Sequence, residues 1–138
     1  MKTVKHRVLW TEPISKSSAA ADLSWTDTDP LAVTLTFHYP GEDRKWLFSL
    51  DLITTITSGL ALVAGLHDVQ TGYERREDGF RWFNLILSSP DGAIKIQAPM
   101  NDVANFAQAV EHLLPAEGIL ETMMDFELAE LLKKEEGI

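Results

Sequence analysis

The chain has 138 residues, 45% of them hydrophobic and 24% charged, which is enough to bury one sizeable core and too little for two ordinary domains, so residues 1–138 are expected to form a single domain. It contains no cysteine, which excludes a disulfide framework, a thiolate metal site and a cysteine nucleophile. The formal net charge is −9, and residues 70–138 carry 13 Asp and Glu against 6 Lys and Arg; such a balance repels phosphate and makes nucleic acid an unfavoured partner.

The opening MKTVKHRVLW interleaves Lys2, Lys5 and Arg7 with single apolar residues and lacks the apolar stretch of a secretory signal. The longest uncharged run, Leu52 to Leu66, is shorter than the roughly 18–20 residues that span a bilayer. A cytoplasmic chain without a membrane span is expected. Residues 3 to 10 read as a first strand, with Val4, His6, Val8 and Trp10 on one face and Lys5, Arg7 and Leu9 on the other. EPISKSSAAADLSWTDTDP reads as a connection holding at most one short strand near Leu23 to Thr26. Beyond Asp29-Pro30 the alternation is clean: Leu31, Val33, Leu35, Phe37 and Tyr39 point one way, Ala32, Thr34, Thr36 and His38 the other. Pro40-Gly41-Glu42-Asp43 makes a turn, and Trp46, Phe48 and Leu50 return along the apolar face. On its polar, Thr-bearing face His38 is expected to be solvated or bonded to threonine.

Asp51 is expected to cap a short helix bearing Leu52, Ile53 and Ile56, stopped by Gly59. GLALVAGL, residues 59–66, is apolar on all sides and bracketed by glycines. It fits a buried crossing segment or a loop covered by another subunit; Leu60, Leu62, Val63 and Leu66 are candidate subunit contacts, with ordinary core as the alternative. HDVQTGYE and FRWFNLILSS form a hairpin about RREDG, and Ser89-Pro90-Asp91-Gly92 turns the chain into AIKIQA. Asn101 or Asp102 caps a helix striped by Val103, Phe106, Ala107, Val110, Leu113 and Leu114, ending at Pro115. A second amphipathic helix is expected over residues 119–134. Leu120, Met124, Leu128 and Leu131 share one face, and Glu121, Asp125, Glu127 and Glu130, mostly off it, form a candidate acidic surface for a protein partner. Strands leading into a helix thus occur twice, ending near Ile56 and Leu114, which permits a duplicated arrangement.

Chemistry is sparse. His6, His38, His67 and His112 are scattered singly, and His67-Asp68 are strand neighbours that point to opposite faces. No serine lies in a GxSxG elbow, no GxxxxGK[ST] or GxGxxG phosphate loop occurs, and no spacing supports a metal set such as Asp27, Asp29 and His67. No catalytic residue, cofactor or metal is expected. Tyr73, Arg75, Arg76, Phe80, Arg81 and Trp82 make a basic, aromatic hairpin able to stack single-stranded bases, opposed by Glu74, Glu77 and Asp78. A small-ligand site beneath GLALVAGL, lined by His67 or Asp68, is a third reading.

The order of motifs resembles the SsgA-like family, the SsgA/SsgB sporulation and cell-division proteins of filamentous actinobacteria. The matching residues are Asp29-Pro30, Ala32-Val33 and Phe37-His38, then Trp46, Phe48 and Asp51-Leu52 in a W-x-F-x-x-D-L pattern. Gly65-Leu66, Asp68-Val69, the Leu87-Ser88-Ser89-Pro90-Asp91-Gly92 turn, Ala98-Pro99, Phe106, Glu127-Leu128 and Leu131-Leu132 follow in order. Leu50 stands where the family usually has Arg, and GLALVAGLHDV replaces a more glycine-rich entry. The resemblance implies an α+β fold similar to the plant whirly proteins, a β-barrel-like antiparallel sheet with C-terminal helices that assembles as a homotrimer. It also implies a non-enzymatic division regulator at septa, whose partners are copies of itself and FtsZ or related division proteins. The alternative is a whirly-like binder of single-stranded nucleic acid.

Overall fold

The structure, a computed structural model, describes residues 1–66 and 68–114. Its elements are β1 (Thr3–Thr11), β2 (Ser18–Thr26), β3 (Ala32–Tyr39), β4 (Glu42–Ser49), α1 (Leu50–Thr57), β5 (Val63–Ala64), β6 (Val69–Arg75), β7 (Arg81–Ser89), β8 (Gly92–Pro99) and α2 (Met100–Leu113). The strands form one antiparallel sheet in the order β4-β3-β2-β1-β8-β7-β6-β5, curled into a half-barrel, with the α+β character expected. Two four-strand meanders lie side by side, each running without a loop into a helix. The expected helix over residues 119–134, with Glu121, Asp125, Glu127 and Glu130, lies outside the described residues.

Pairing is dense within each half and thin between them. β1 and β2 are in register from Thr3↔Thr26 to Thr11↔Ser18, whereas β1 meets β8 only at Thr11↔Gln97. The helices close this seam by packing across it: α1 lies on β5 and β6 of the second half, and α2 on β1 of the first as well as on β7 and β8. Thr71 Oγ1 donates to the Leu52 carbonyl at 2.7 Å, the His6 ring stands edge-on to Phe106 at 5.7 Å, and Trp10 meets Phe83 at 6.2 Å. Period-two alternation supplies one core: Val4, Val8, Trp10, Leu23, Trp25, Val33, Leu35, Phe83, Leu85 and Ile96 face the buried Ile53, Ile56, Val103, Phe106 and Val110 of the helices.

Several expectations need correction. The connection before Asp29 holds a full nine-residue strand, β2, because β1 pairs along its whole length, including the weak Ala19-Ala20-Ala21 run, and β3 pairs with it from Ala21 to Ser24, so tertiary pairing overrides propensity. The turn after Tyr39 is only Pro40-Gly41, since Tyr39 already pairs with Glu42; Gly41, at φ +83°, takes the left-handed conformation glycine tolerates, and Pro40 precedes it. Helix α1 is capped by Ser49, whose hydroxyl accepts from the Asp51 N–H at 3.3 Å, so Asp51 sits in the first turn instead of at the cap. Helix α2 begins at Met100 after Pro99 with no side-chain cap, so Asn101 and Asp102 fall in its first turn.

Candidate assembly surface

The second half opens with a frayed strand. After α1, Gly59 turns the chain at φ +80°, and residues 59–66 run along β6 with only Val63↔Gly72 and Ala64↔Thr71 in register. The Tyr73 N–H donates to the Leu62 carbonyl at 2.8 Å. Gly65, at φ +88°, is required, because a Cβ there would lie 2.5 Å from the Val69 carbonyl oxygen. The backbone is therefore held on the sheet, Ala64 packs against the core, and the larger aliphatic side chains stay exposed: Leu60 is 83% exposed, Leu62 67%, Val63 76% and Leu66 78%. The core alternative for these four residues does not hold in the single chain. Beneath the segment runs an open groove of about 300 Å³, lined by Ile56, Ala61, Leu62, Tyr73, Arg81 and Met100.

The other sheet edge differs. Strand β4 presents exposed Glu42, Asp43, Arg44 and Lys45, charges that discourage another strand from pairing there. Along β5 that protection is missing. The shortness of β5 blunts the edge as a hydrogen-bonding template, yet four exposed aliphatic side chains remain in one eight-residue segment.

The sheet face turned away from the helices carries two polar clusters. In the first half Asp22 is buried and accepts from Arg7 Nε at 3.1 Å, with Lys5 Nζ 3.6 Å away; His38 Nε2 lies 2.8 Å from Asp22 and His38 Nδ1 3.1 Å from Asp43. His38 is thus held by carboxylates, not by threonine or solvent alone. Burial pushes the Asp22 carboxyl up, but hydrogen bonds from Arg7 and His38 and the charges of Arg7 and Lys5 outweigh it and hold the carboxyl below its ordinary value. In the second half Gln97 Nε2 donates to Asn84 Oδ1 at 2.7 Å and to Glu74 Oε2 at 3.1 Å, and Arg76 donates to Gln97 Oε1 at 2.6 Å. The hydrogen bond from Gln97 lowers the Glu74 pKa most; burial opposes it, and Arg76 and Lys95 add to the lowering.

These clusters were hidden in the sequence. Their signal is a polar residue inside an apolar run, Asp22 between Ala21 and Leu23, Asn84 between Phe83 and Leu85, Gln97 between Ile96 and Ala98; register is needed to find the partners. The structure also separates the proposed base-stacking residues. Tyr73 packs against the core and Trp82 lies on the opposite face, where the Arg76 guanidinium covers its ring at 4.7 Å and is already bonded to Gln97. Arg75, at the end of β6, pairs across to Arg81.

Among the described residues no group of three or more His, Asp or Glu is placed to hold a metal ion, and no helix is long and apolar enough to cross a membrane. His67 lies outside the described residues. Asp68 contributes its backbone carbonyl to the Ser88 N–H at 2.8 Å and does not line the groove beneath residues 59–66.

A protein-family model described as Streptomyces sporulation and cell division protein, SsgA, matches residues 19–118. The sporulation-specific cell division protein SsgB of Kineococcus radiotolerans is 34% identical over 96 residues, 69% of this chain. This chain's match spans just 56% of that relative's length. SsgB of Streptomyces coelicolor is 31% identical over 96 residues, covering 69% of this chain and 67% of that one. Two solved structures share the fold. One, from work correlating SsgB mutations with longitudinal cell division during sporulation of Streptomyces coelicolor, superimposes with a TM-score of 0.71 at 30% identity, over 83% of this chain and 90% of the other. The SsgA-like sporulation-specific cell division protein of Thermobifida fusca gives 0.72 at 25% identity, over 94% and 95%.

Proposed function

The chain belongs to the SsgA family of sporulation and cell-division proteins, and from that membership we propose that it acts in sporulation-associated cell division as a non-enzymatic scaffold. It assembles with copies of itself, as a homotrimer, through the segment Leu60 to Leu66. The assembled protein works in the cytoplasm at division septa, where it recruits FtsZ or a related division protein.

The observation that carries the assembly half is the display of Leu60, Leu62, Val63 and Leu66 on a backbone pinned to a sheet edge. Fully burying a Leu or Val side chain contributes roughly 1.5–3 kcal/mol, so four such side chains per subunit are a substantial drive towards association. Light scattering coupled to size exclusion tests it. The protein is expected to run as an oligomer, and Leu62→Asp with Val63→Asp is expected to give a folded monomer with an unchanged far-ultraviolet dichroism spectrum. A monomeric parent, or an oligomer indifferent to both charges, overturns the assembly reading. Co-pelleting with FtsZ filaments tests the recruitment half separately, and a parent oligomer that neither pellets nor alters filament assembly overturns that half.

A further inference from the structure

We propose that the His38 ring, as an imidazolium, is a proton-operated staple that fastens the β3–β4 edge hairpin to β2 and releases one carboxylate when it deprotonates. The geometry carries this. Nε2 lies 2.8 Å from Asp22 Oδ2 on β2 and Nδ1 lies 3.1 Å from Asp43 Oδ1 on β4. Ionised carboxylates only accept hydrogen bonds, and a neutral imidazole has a single N–H, so only the doubly protonated ring can donate to both. On loss of the proton, one ring nitrogen turns a lone pair towards a carboxylate and that contact becomes repulsive.

The neighbouring charges decide which contact is lost. Asp22 is buried and also faces Arg7 at 3.1 Å and Lys5 at 3.6 Å from β1, so it keeps partners and remains ionised without the full staple. Asp43 has no such second partner among the described ion pairs, and its side chain is 50% exposed. From β4, Lys45 shares the face of Asp43, while Arg44 lies over the Tyr39 ring at 5.5 Å. The Asp43 side is therefore the one that opens, at the tip of the hairpin on the outer edge of the sheet.

The hydrogen bond to Asp22, then that to Asp43, raises the His38 pKa above its ordinary value, against a smaller opposing effect of burial. The sign follows: a raised folded-state pKa means the staple's contribution is complete below about pH 6.5, the unfolded value, and is lost as pH rises through the folded value. The β3–β4 hairpin should then loosen on the alkaline side while β6–β7, stitched by Asn84, Gln97 and Arg76, does not.

Heteronuclear NMR of the full-length protein tests the staple. Below the midpoint both His38 ring nitrogens should carry protons, and the midpoint should lie above about 6.5. Asp43→Asn, at an exposed position that leaves the fold in place, should move the midpoint down towards that value. Amide exchange over residues 38–45, corrected for its intrinsic rise with pH, should accelerate through the same midpoint, and His38→Gln should abolish that acceleration. A midpoint at or below 6.5, a midpoint unmoved by Asp43→Asn, or hairpin exchange with the same pH profile in His38→Gln would each overturn the proposal.

Discussion

The two halves of the molecule repeat one plan and finish it differently. In the first, four strands of eight or nine residues lead into the eight-residue α1; in the second, the opening strand shrinks to the two residues of β5 and the closing helix lengthens to 14. The shortening leaves an apolar segment uncovered on the outer edge, while the first half ends in a charged edge strand. Neither half closes its core by itself. Helix α1 packs mainly on β5 and β6 of the opposite half and α2 bridges β1 of the first half to β7 and β8 of its own, so part of the burial that stabilises each meander is supplied by the helix that follows the other.

The sharpest way to break that account is at α2. Phe106 is fully buried against β1, so Phe106→Ala should cost about 3–5 kcal/mol and lower the denaturant midpoint of the whole molecule in one transition. In a Trp82→Phe background, fluorescence of Trp10, Trp25 and Trp46 reports on the first half and amide exchange on the second; separate transitions would show the halves to be independent. Thr71→Val removes the hydrogen bond that ties β6 to the Leu52 carbonyl, and about 1–2 kcal/mol should be lost in urea denaturation. Acid should affect both halves alike, since Asp22 and Glu74 both have lowered pKa values: their contribution is present above the unfolded carboxyl range and is lost as pH falls through the folded values. Stability profiles followed by amide exchange should therefore show an acid limb in both halves and an alkaline limb only in the first.

Hydrophobic period permitted this duplication without establishing it, but it did give the faces of most elements. The faces of β1, β3, β4 and β7 and the stripe of α2 follow directly from alternation and from the spacing of Val103, Phe106, Ala107 and Val110. What stayed hidden depends on contacts distant in sequence. The Ala-rich start of β2 has little strand preference of its own and is held by its register with β1, distant β3 joining only from Ala21 onward. Residues 59–66 read the same whether buried or displayed, because composition records apolarity and not which side lacks a partner. Asp22 and His38 lie 16 positions apart and come together only when β2 and β3 are in register.

The smallest expected effect lies at the helix starts, where the halves also part company. The sequence offers a plausible cap residue to each, Asp51 and Asn101 or Asp102, yet α1 uses Ser49 and α2 uses none. A short helix has fewer buried side chains to hold its first turn, and α1 buries Leu50, Ile53 and Ile56 where α2 buries Met100, Val103, Phe106, Ala107 and Val110. Ser49→Ala should therefore cost about 0.5–1 kcal/mol, at the low end for a cap because its hydrogen bond is long at 3.3 Å. Asn101→Ala, which loses only a 3.4 Å contact from Arg81 on an exposed surface, should stay within about 0.5 kcal/mol of the parent. Equal losses at the two positions in thermal unfolding would mean that α2 depends on its first turn as α1 does, and that packing across the seam is not what holds the longer helix.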